Sequence, residues 1–296
     1  MLIIPSRRRG ALVGGLLFFV TLLLDSFWLW QITNWPITFL TFVQSVLFIL
    51  SLPWLALLSY WLYALLTLRY QLDRNRLLIR QGATWQVIPL PEIEKVELGL
   101  QLTSPLRYRG AWWPGCRIGH GEVLDAGPTL FYATTPASQQ VILVTATHAY
   151  AISPPEPQTF LREFELRRSM GPTHKVERSS HRPAFANWAF WSDRTALTLL
   201  TLGGVTTAIL FGRLCRRYSS LPPRLALHFN TRGLVDRIGQ RSELFTLPVI
   251  GLIVLATNSL LGFLLYRREK AGAYLVWGST LAVHILLWLA LGQLMG

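Results

Sequence analysis

Long apolar runs and short alternating ones divide this chain, and their lengths predict its elements. Crossing the hydrocarbon core of a bilayer takes about 20 mostly apolar residues in helix. Residues 11–31 meet this with Asp25 as their one charge. "TNWP" at 33–36 then turns the chain, because asparagine and proline punctuate helices. Residues 37–67 form a second apolar run, expected as one helix that tilts, kinks at Pro53 or extends beyond the bilayer, rather than two short spans split at "SLP". Three more spans are expected at 195–213, 244–266 and 272–293, the last two joined by "RREKA" and therefore antiparallel neighbours. The first run is too long for a signal-peptide core and no small-residue cleavage site follows it, so it reads as an uncleaved anchor.

From Arg69 the period changes. "LRYQLD", "RLLIRQG" and "TWQVIPL" are short strand-like runs closed by turn residues, followed by "PEIEKVELGL", a glycine-rich stretch, and then "TLFYAT", "QVILVTA" and "HAYAIS". "SPPEPQTFLREFELRR" reads as a helix start, with Ser153 as cap, Pro154 in the first turn and Glu156 completing a capping box. Phe160, Leu161 and Phe164 fall along one side of that helix. The expected fold is a multi-span α-helical membrane protein with about five transmembrane helices and an inserted, water-soluble β-barrel or sandwich capped by a C-terminal helix. Its parts are a hairpin over 1–67, the β-domain over 68–168, a basic linker over 169–194 reaching the membrane interface at Trp188 and Trp191, and a bundle over 195–296.

Composition agrees: 51% of residues are hydrophobic and only 15% charged, against about 25% in soluble domains. The net charge is +13, and apart from Lys95, Lys175 and Lys270 the basic residues are arginines. They flank apolar runs, which suits anionic lipid headgroups better than nucleic acid, so no nucleic-acid partner is expected. Arg7, Arg8 and Arg9 place the N-terminus inside, and the count of spans then puts the β-domain and "RREK" in the cytoplasm. The same count puts 213–241 outside although it holds seven arginines, which argues against that side. Cys116 and Cys215 are the only cysteines and lack metal-ligand spacing, so neither a disulfide framework nor a metal site is expected.

Two stretches resemble known families. "YQLDRNRLLIRQG", "VIPLPEIEKVEL", "PGCRIGHGEV", "GPTLFYAT" and "VILVTATHAYAISPPEPQTFLREF" resemble the bacterial pleckstrin-homology (PH) domain families over about 68–168. That resemblance implies two orthogonal antiparallel sheets closed at one corner by the C-terminal helix, and no catalytic reaction. The "RNR" loop (Arg74, Asn75, Arg76) has no lysine cluster, so phosphoinositide binding is not carried over. Between 221 and about 262, Leu221, Pro222, His228, Phe229, Asn230, Gly233, Val235 and Asp236 resemble the domain of unknown function 1648. Some members of that family accompany immunity to a secreted toxin.

Candidate chemistry is sparse. His228, Asn230 and Asp236 could bind a cation or polar ligand, but two good ligands do not make a metal site, and Asn230 with Gly233 also reads as a turn that Asp236 secures. Asp25, Asn258 and His284 lie inside spans, where polar groups are costly and often functional. Their heights predict that Asp25 and His284 face each other, against the simpler reading of Asp25 at the outer interface and one ordinary interhelical bond for His284. "LRYRGAWWPGCR" offers Arg107, Arg109, Trp112, Trp113 and Arg117 as a membrane-docking loop, or as tryptophans packed on the barrel. "GHGEVLDAG" lacks the strand and helix of a dinucleotide fingerprint, leaving His120, Glu122 and Asp125 as solvated turn residues. These features together read as a non-enzymatic protein of the bacterial cytoplasmic membrane, without cofactor. The β-domain would be a scaffold for a protein partner or the membrane surface, coupled to a bundle that senses or binds something. Toxin immunity or signal reception through 221–243 is the alternative, and a transporter component the second.

Overall fold

A computed structural model describes residues 1–99, 106–123, 126–181, 188–229 and 235–295. Among these, five helices are long and apolar enough to cross a membrane: α1 (Arg8–Asn34), α2 (Phe39–Thr67), α4 (Arg194–Tyr218), α5 (Thr246–Tyr266) and α6 (Lys270–Met295). The chain is a membrane protein. α2 runs through Pro53 as one helix of 29 residues, about 44 Å at 1.5 Å per residue. That exceeds a hydrocarbon core of about 30 Å, so its end can emerge and merge with a soluble domain. Contacts divide the chain into two compact units, one of residues 1–24 and 51–187, the other of 25–50 and 188–296.

The first unit is a β-sandwich joined to the ends of α1 and α2. Its first sheet has the order β1-β2-β3-β4-β11, formed by Leu2–Ile3, Arg69–Leu72, Arg76–Gln81, Thr84–Pro89 and Ser179–His181. The second has the order β5-β9-β10-β8-β7-β6, formed by Ile93–Leu98, Val141–Thr145, Ala149–Ile152, Gly127–Ala133, Cys116–Val123 and Leu106–Trp113. Alternating apolar residues of both sheets meet in one core, including Tyr70, Leu72, Leu77 and Ile79 from the first and Val141, Leu143, Tyr150 and Ile152 from the second. Helix α3 (Pro157–Ser169) closes that core with Phe160 and Phe164, and Leu161 packs at its margin, as the sequence pattern predicts.

Several expectations are corrected. The glycine-rich stretch is the β6–β7 hairpin, so Gly119, His120, Gly121 and Glu122 are strand residues rather than a turn; Asp125 lies outside the described residues. Gly110 and Gly119 pair across it, and a β-carbon on Gly119 would meet the Arg109 carbonyl at 2.2 Å. The second sheet is not purely antiparallel, because β10 pairs in parallel with β8 while β9 folds back on its other side. The linker reading fails for residues 170–181. Arg74 donates to the carbonyls of Met170 and Gly171, Asn75 accepts from Thr173, and β11 pairs with β4, where His181 stacks on Trp85 with ring centroids 3.9 Å apart. At the opposite edge, β1 pairs with β2 and the Met1 ammonium donates to Leu72 O at 2.7 Å.

Ser153 does not cap α3. Its hydroxyl is buried and accepts from Thr134 N at 2.8 Å, while the Tyr70 hydroxyl donates to Tyr132 O at 2.5 Å and accepts from Ser153 N at 3.2 Å. Burial pushes the Tyr70 phenol up to about 12, so it stays a donor in this bridge between the sheets. The helix starts four residues later, at Pro157, with Glu156 ahead of it and no side-chain cap. Ser153→Ala leaves a buried N–H without its partner and is expected to lower stability by about 1–3 kcal/mol. Glu156→Ala should stay within about 0.5 kcal/mol. Melting of the detergent-solubilised full chain separates the two; equal losses would return Ser153 to a capping role.

Candidate functional site

In the first unit, the membrane helices and the β-domain meet at a backbone-to-backbone contact. Pro114 and Gly115 form the two-residue turn of β6–β7, with Gly115 at φ +86°, a left-handed conformation that suits glycine. This turn lies against the first turn of α1. A β-carbon on Gly10 would come within 2.1 Å of Gly115 O, and one on Gly115 within 2.3 Å of Gly10 N. Trp113 Nε1 donates to Gly10 O at 2.9 Å. Around this contact Leu58, Ala64 and Leu65 of α2 pack with Ala111, Trp113, Cys116 and Ile118 of the hairpin, with Val13 and Phe18 of α1 at the margin. Burial pushes the Cys116 thiol up to about 12, which makes it a packing residue rather than a nucleophile. Arg7 donates to Leu66 O and Leu68 O, closing the C-terminal end of α2.

The expected membrane-docking loop is therefore this hairpin, and its two tryptophans part company. Trp113 is buried on α1 and α2, whereas Trp112 is 52% exposed. The Arg117 guanidinium lies 5.2 Å from the Trp112 ring centre. Arg109 is an exposed strand residue, and Arg107 sits on the same strand.

In the second unit, polar groups form a ladder where α4, α5 and α6 meet. Asp193 caps α4: Oδ1 accepts from Ala196 N at 3.1 Å, and Oδ2 accepts from the hydroxyls of Tyr266 at 2.7 Å and Tyr274 at 2.5 Å. Those two phenols hold the Asp193 carboxyl down at about 2. Farther along, Asn258 donates to Ser279 and Thr280 at 3.2 and 3.0 Å. His284 comes next, with Nδ1 2.6 Å from Thr206 Oγ1 and Nε2 2.9 Å from Gly251 O. A carbonyl only accepts, so Nε2 carries a proton and donates to Gly251 O. Both ring nitrogens of His284 are thus taken by α4 and α5, which corrects the expectation that it faces Asp25. Asp25 is itself buried in this unit.

The ladder needs small residues opposite large ones. Ala273, Trp277, Thr280, His284, Leu291 and Met295 recur every three, four or seven residues and are the buried stripe of α6. Gly262 receives Trp277, since a β-carbon there would lie 2.1 Å from Trp277 Nε1. Gly251 likewise leaves the His284 ring 3.3 Å from where its β-carbon would be. Sequence reading missed Asp193, Tyr266, Tyr274, Thr206 and Thr207. An aspartate just before an apolar run is a readable cap signal, but the tyrosines and threonines acquire meaning only when three helices converge. It also missed Gln31 and Gln44, a buried amide pair between α1 and α2 in the same unit.

The 221–243 stretch, expected as a loop, is a hairpin of β12 (Arg224–Phe229) and β13 (Val235–Gln240). His228 pairs with Arg237 at a register irregularity, and Asp236 is exposed on β13. Asn230 and Gly233 lie outside the described residues.

Sheet order, capping helix and hairpin are now placed, and they coincide with two family models. Residues 68–168 match the model of the bacterial PH domain. The matched region thus runs from β2 to α3, and strands β1 and β11, at the two edges of the first sheet, lie outside it. Residues 205–252 match the domain of unknown function 1648, which takes in Thr206, Thr207, the hairpin and Gly251 but not His284. No curated protein and no solved structure matches the chain.

Two outcomes follow from the ladder. Gly262→Ala forces Trp277 aside and should destabilise the chain by about 1–3 kcal/mol, with Trp277→Leu restoring part of the loss in the double variant. The pH dependence has a definite sign. The folded Asp193 carboxyl lies below its ordinary value of 3.8, so its contribution is complete above that value and fades as pH falls toward about 2. Acid melts of the full chain should show a component in that window that Asp193→Asn removes.

Proposed function

We propose that this chain is a non-enzymatic scaffold of the bacterial cytoplasmic membrane. The membrane hairpin holds the PH domain at the cytoplasmic face, where the domain receives a protein partner, and the C-terminal helices form a sensing or binding bundle. The observation that carries this reading is the Gly10–Gly115 contact with its Trp113 hydrogen bond. A domain that searched for soluble ligands would sit on flexible chain, whereas here β1, the α2–β2 junction and residues 170–181 are all folded onto it. The engagement of Asp193, Asn258 and His284 in interhelical bonds supports a packing or sensing role over a catalytic one.

Sidedness follows from charge. Arg8 and Arg9 favour a cytoplasmic start, while Arg7 is held by the Leu66 and Leu68 carbonyls. The arginines of 213–241 lose weight as counter-evidence because several have structural partners. Arg213 lies over Trp288, Arg217 donates to Met295 O, Arg241 donates to Tyr218 O and Leu221 O, and Arg237 pairs with Glu243. Cations at helix C-terminal carbonyls are favourable on either side of a membrane.

A second reading, reception of a toxin or signal through the 221–243 hairpin, is favoured by Val235 and Ile238 on β13, the latter 67% exposed. Loss of toxin protection on changing His228 or Asp236 would support it.

Reporter fusions after residues 168 and 243 should report cytoplasm and exterior respectively. Gly115→Val should speed hydrogen exchange over 8–12 and 111–118 while the spans remain inserted. Exchange that is already fast in the wild type, or a fusion at 168 that reports the exterior, overturns the scaffold reading.

A further inference from the structure

Where α2 gives way to β2, a crevice of about 550 Å³ opens in the first unit. That volume lies in the ordinary range of ligand sites, about 300–1,000 Å³. Its lining combines the cationic Arg7, Arg69 and Arg80 with the exposed apolar side chains of Leu2, Ile4, Tyr63 and Leu66. Thr67, Thr84 and Trp85 also line it, and among the described residues no aspartate or glutamate does.

The arginines are placed against their own electrostatic interest. Arg69 and Arg80 are direct partners in the β2–β3 register, a like-charge pair that destabilises a sheet. None of the ion pairs among the described residues involves Arg7, Arg69 or Arg80. The Arg7 guanidinium is held in place by Leu66 O and Leu68 O, its Nε–H is buried without an acceptor, and burial together with nearby Arg69 lowers its pKa. Three arginines lining one space without a carboxylate suit an anion with several acceptor oxygens.

We propose that this crevice binds an anionic phospholipid, its phosphate between Arg69 and Arg80 and the start of its acyl chains along Tyr63, Leu66, Leu2 and Ile4. The crevice adjoins Thr67, where a helix long and apolar enough to cross a membrane ends, so it lies on the part of the unit next to a leaflet surface. The apolar lining has no use for a free phosphate. No carboxylate lines the crevice to pair with the ammonium of a zwitterionic headgroup, and three arginines favour a lipid with net negative charge. The site is at the far end of the β2–β3 hairpin from its 73–75 turn, so it is separate from the loop considered in the sequence. It deepens the scaffold reading, since a bound lipid would fix the domain to one leaflet.

The test uses the full chain in neutral detergent. Phosphatidylglycerol should raise the melting temperature and be retained in native mass spectra, whereas phosphatidylcholine should do neither. The Arg69→Gln/Arg80→Gln double variant should weaken phosphatidylglycerol binding by at least roughly tenfold. Without lipid the same variant should be as stable as the wild type or more so, because a repulsive pair is gone. Arg117→Gln, on the β6–β7 hairpin, should bind as the wild type does. Undiminished binding by the double variant, equal stabilisation by phosphatidylcholine, or equal stabilisation by inorganic phosphate would each overturn the proposal. Sidedness is read separately by the fusions at 168 and 243, so failure of the scaffold reading leaves this result interpretable.

Discussion

Where Gly10 meets Gly115, a β-carbon on either residue would collide with the other's backbone, and the first unit depends on that contact. Because the turn of β6–β7 lies directly on α1, Trp113 can reach Gly10 O and fill the space between the helices and the second sheet. The hairpin is thereby held at its tip as well as by its strand partners. The α2–β2 junction follows from the same arrangement, with Arg7 satisfying the last carbonyls of α2 just before α1 begins. The PH domain is built as a continuation of the membrane hairpin.

The second unit solves a different problem with the same economy of space. Inside lipid an unpaired polar group costs several kcal/mol, so each polar side chain needs a partner from another helix or its own backbone. Asn258, Thr280, His284, Thr206 and the Gly251 carbonyl supply one another. They can do so because Gly251 and Gly262 let α5 approach the bulky stripe of α6. At the end near Asp193, one carboxylate ties the start of α4 to tyrosines of α5 and α6 while Phe190 and Trp277 pack around it. Near Tyr218, arginines bridge to carbonyls and aromatic faces. An apolar crevice of about 710 Å³, lined by residues such as Trp35, Phe42, Phe211 and Leu252, lies within the same unit.

Charge has two uses in this chain. Arg213, Arg217, Arg237 and Arg241 are consumed by internal contacts, so a count of basic residues overstates what that stretch offers to its surroundings. Arg69 and Arg80 are the opposite case, facing each other without a carboxylate between them. Identical residue types thus differ in meaning according to whether a carbonyl, a ring or another cation lies beside them.

The sequence by itself determined the five spans, the alternating strands of the PH domain and the apolar face of α3, because each is a local periodicity that burial enforces. Pro53 did not split α2, as expected for a run that long. Tertiary structure decided what depends on residues far apart in the chain. Ser153 looked like a helix cap but bridges two sheets, since Thr134 and Tyr70 reach it first. The glycines of 110–121 looked like a loop but permit two strands to close, and residues 170–181 looked like a tether but complete a sheet edge. His284 was legible as a polar group in a span, whereas its partners were not. Which neighbour a side chain meets is set by helix rotation and strand register, and neither is written in a local pattern.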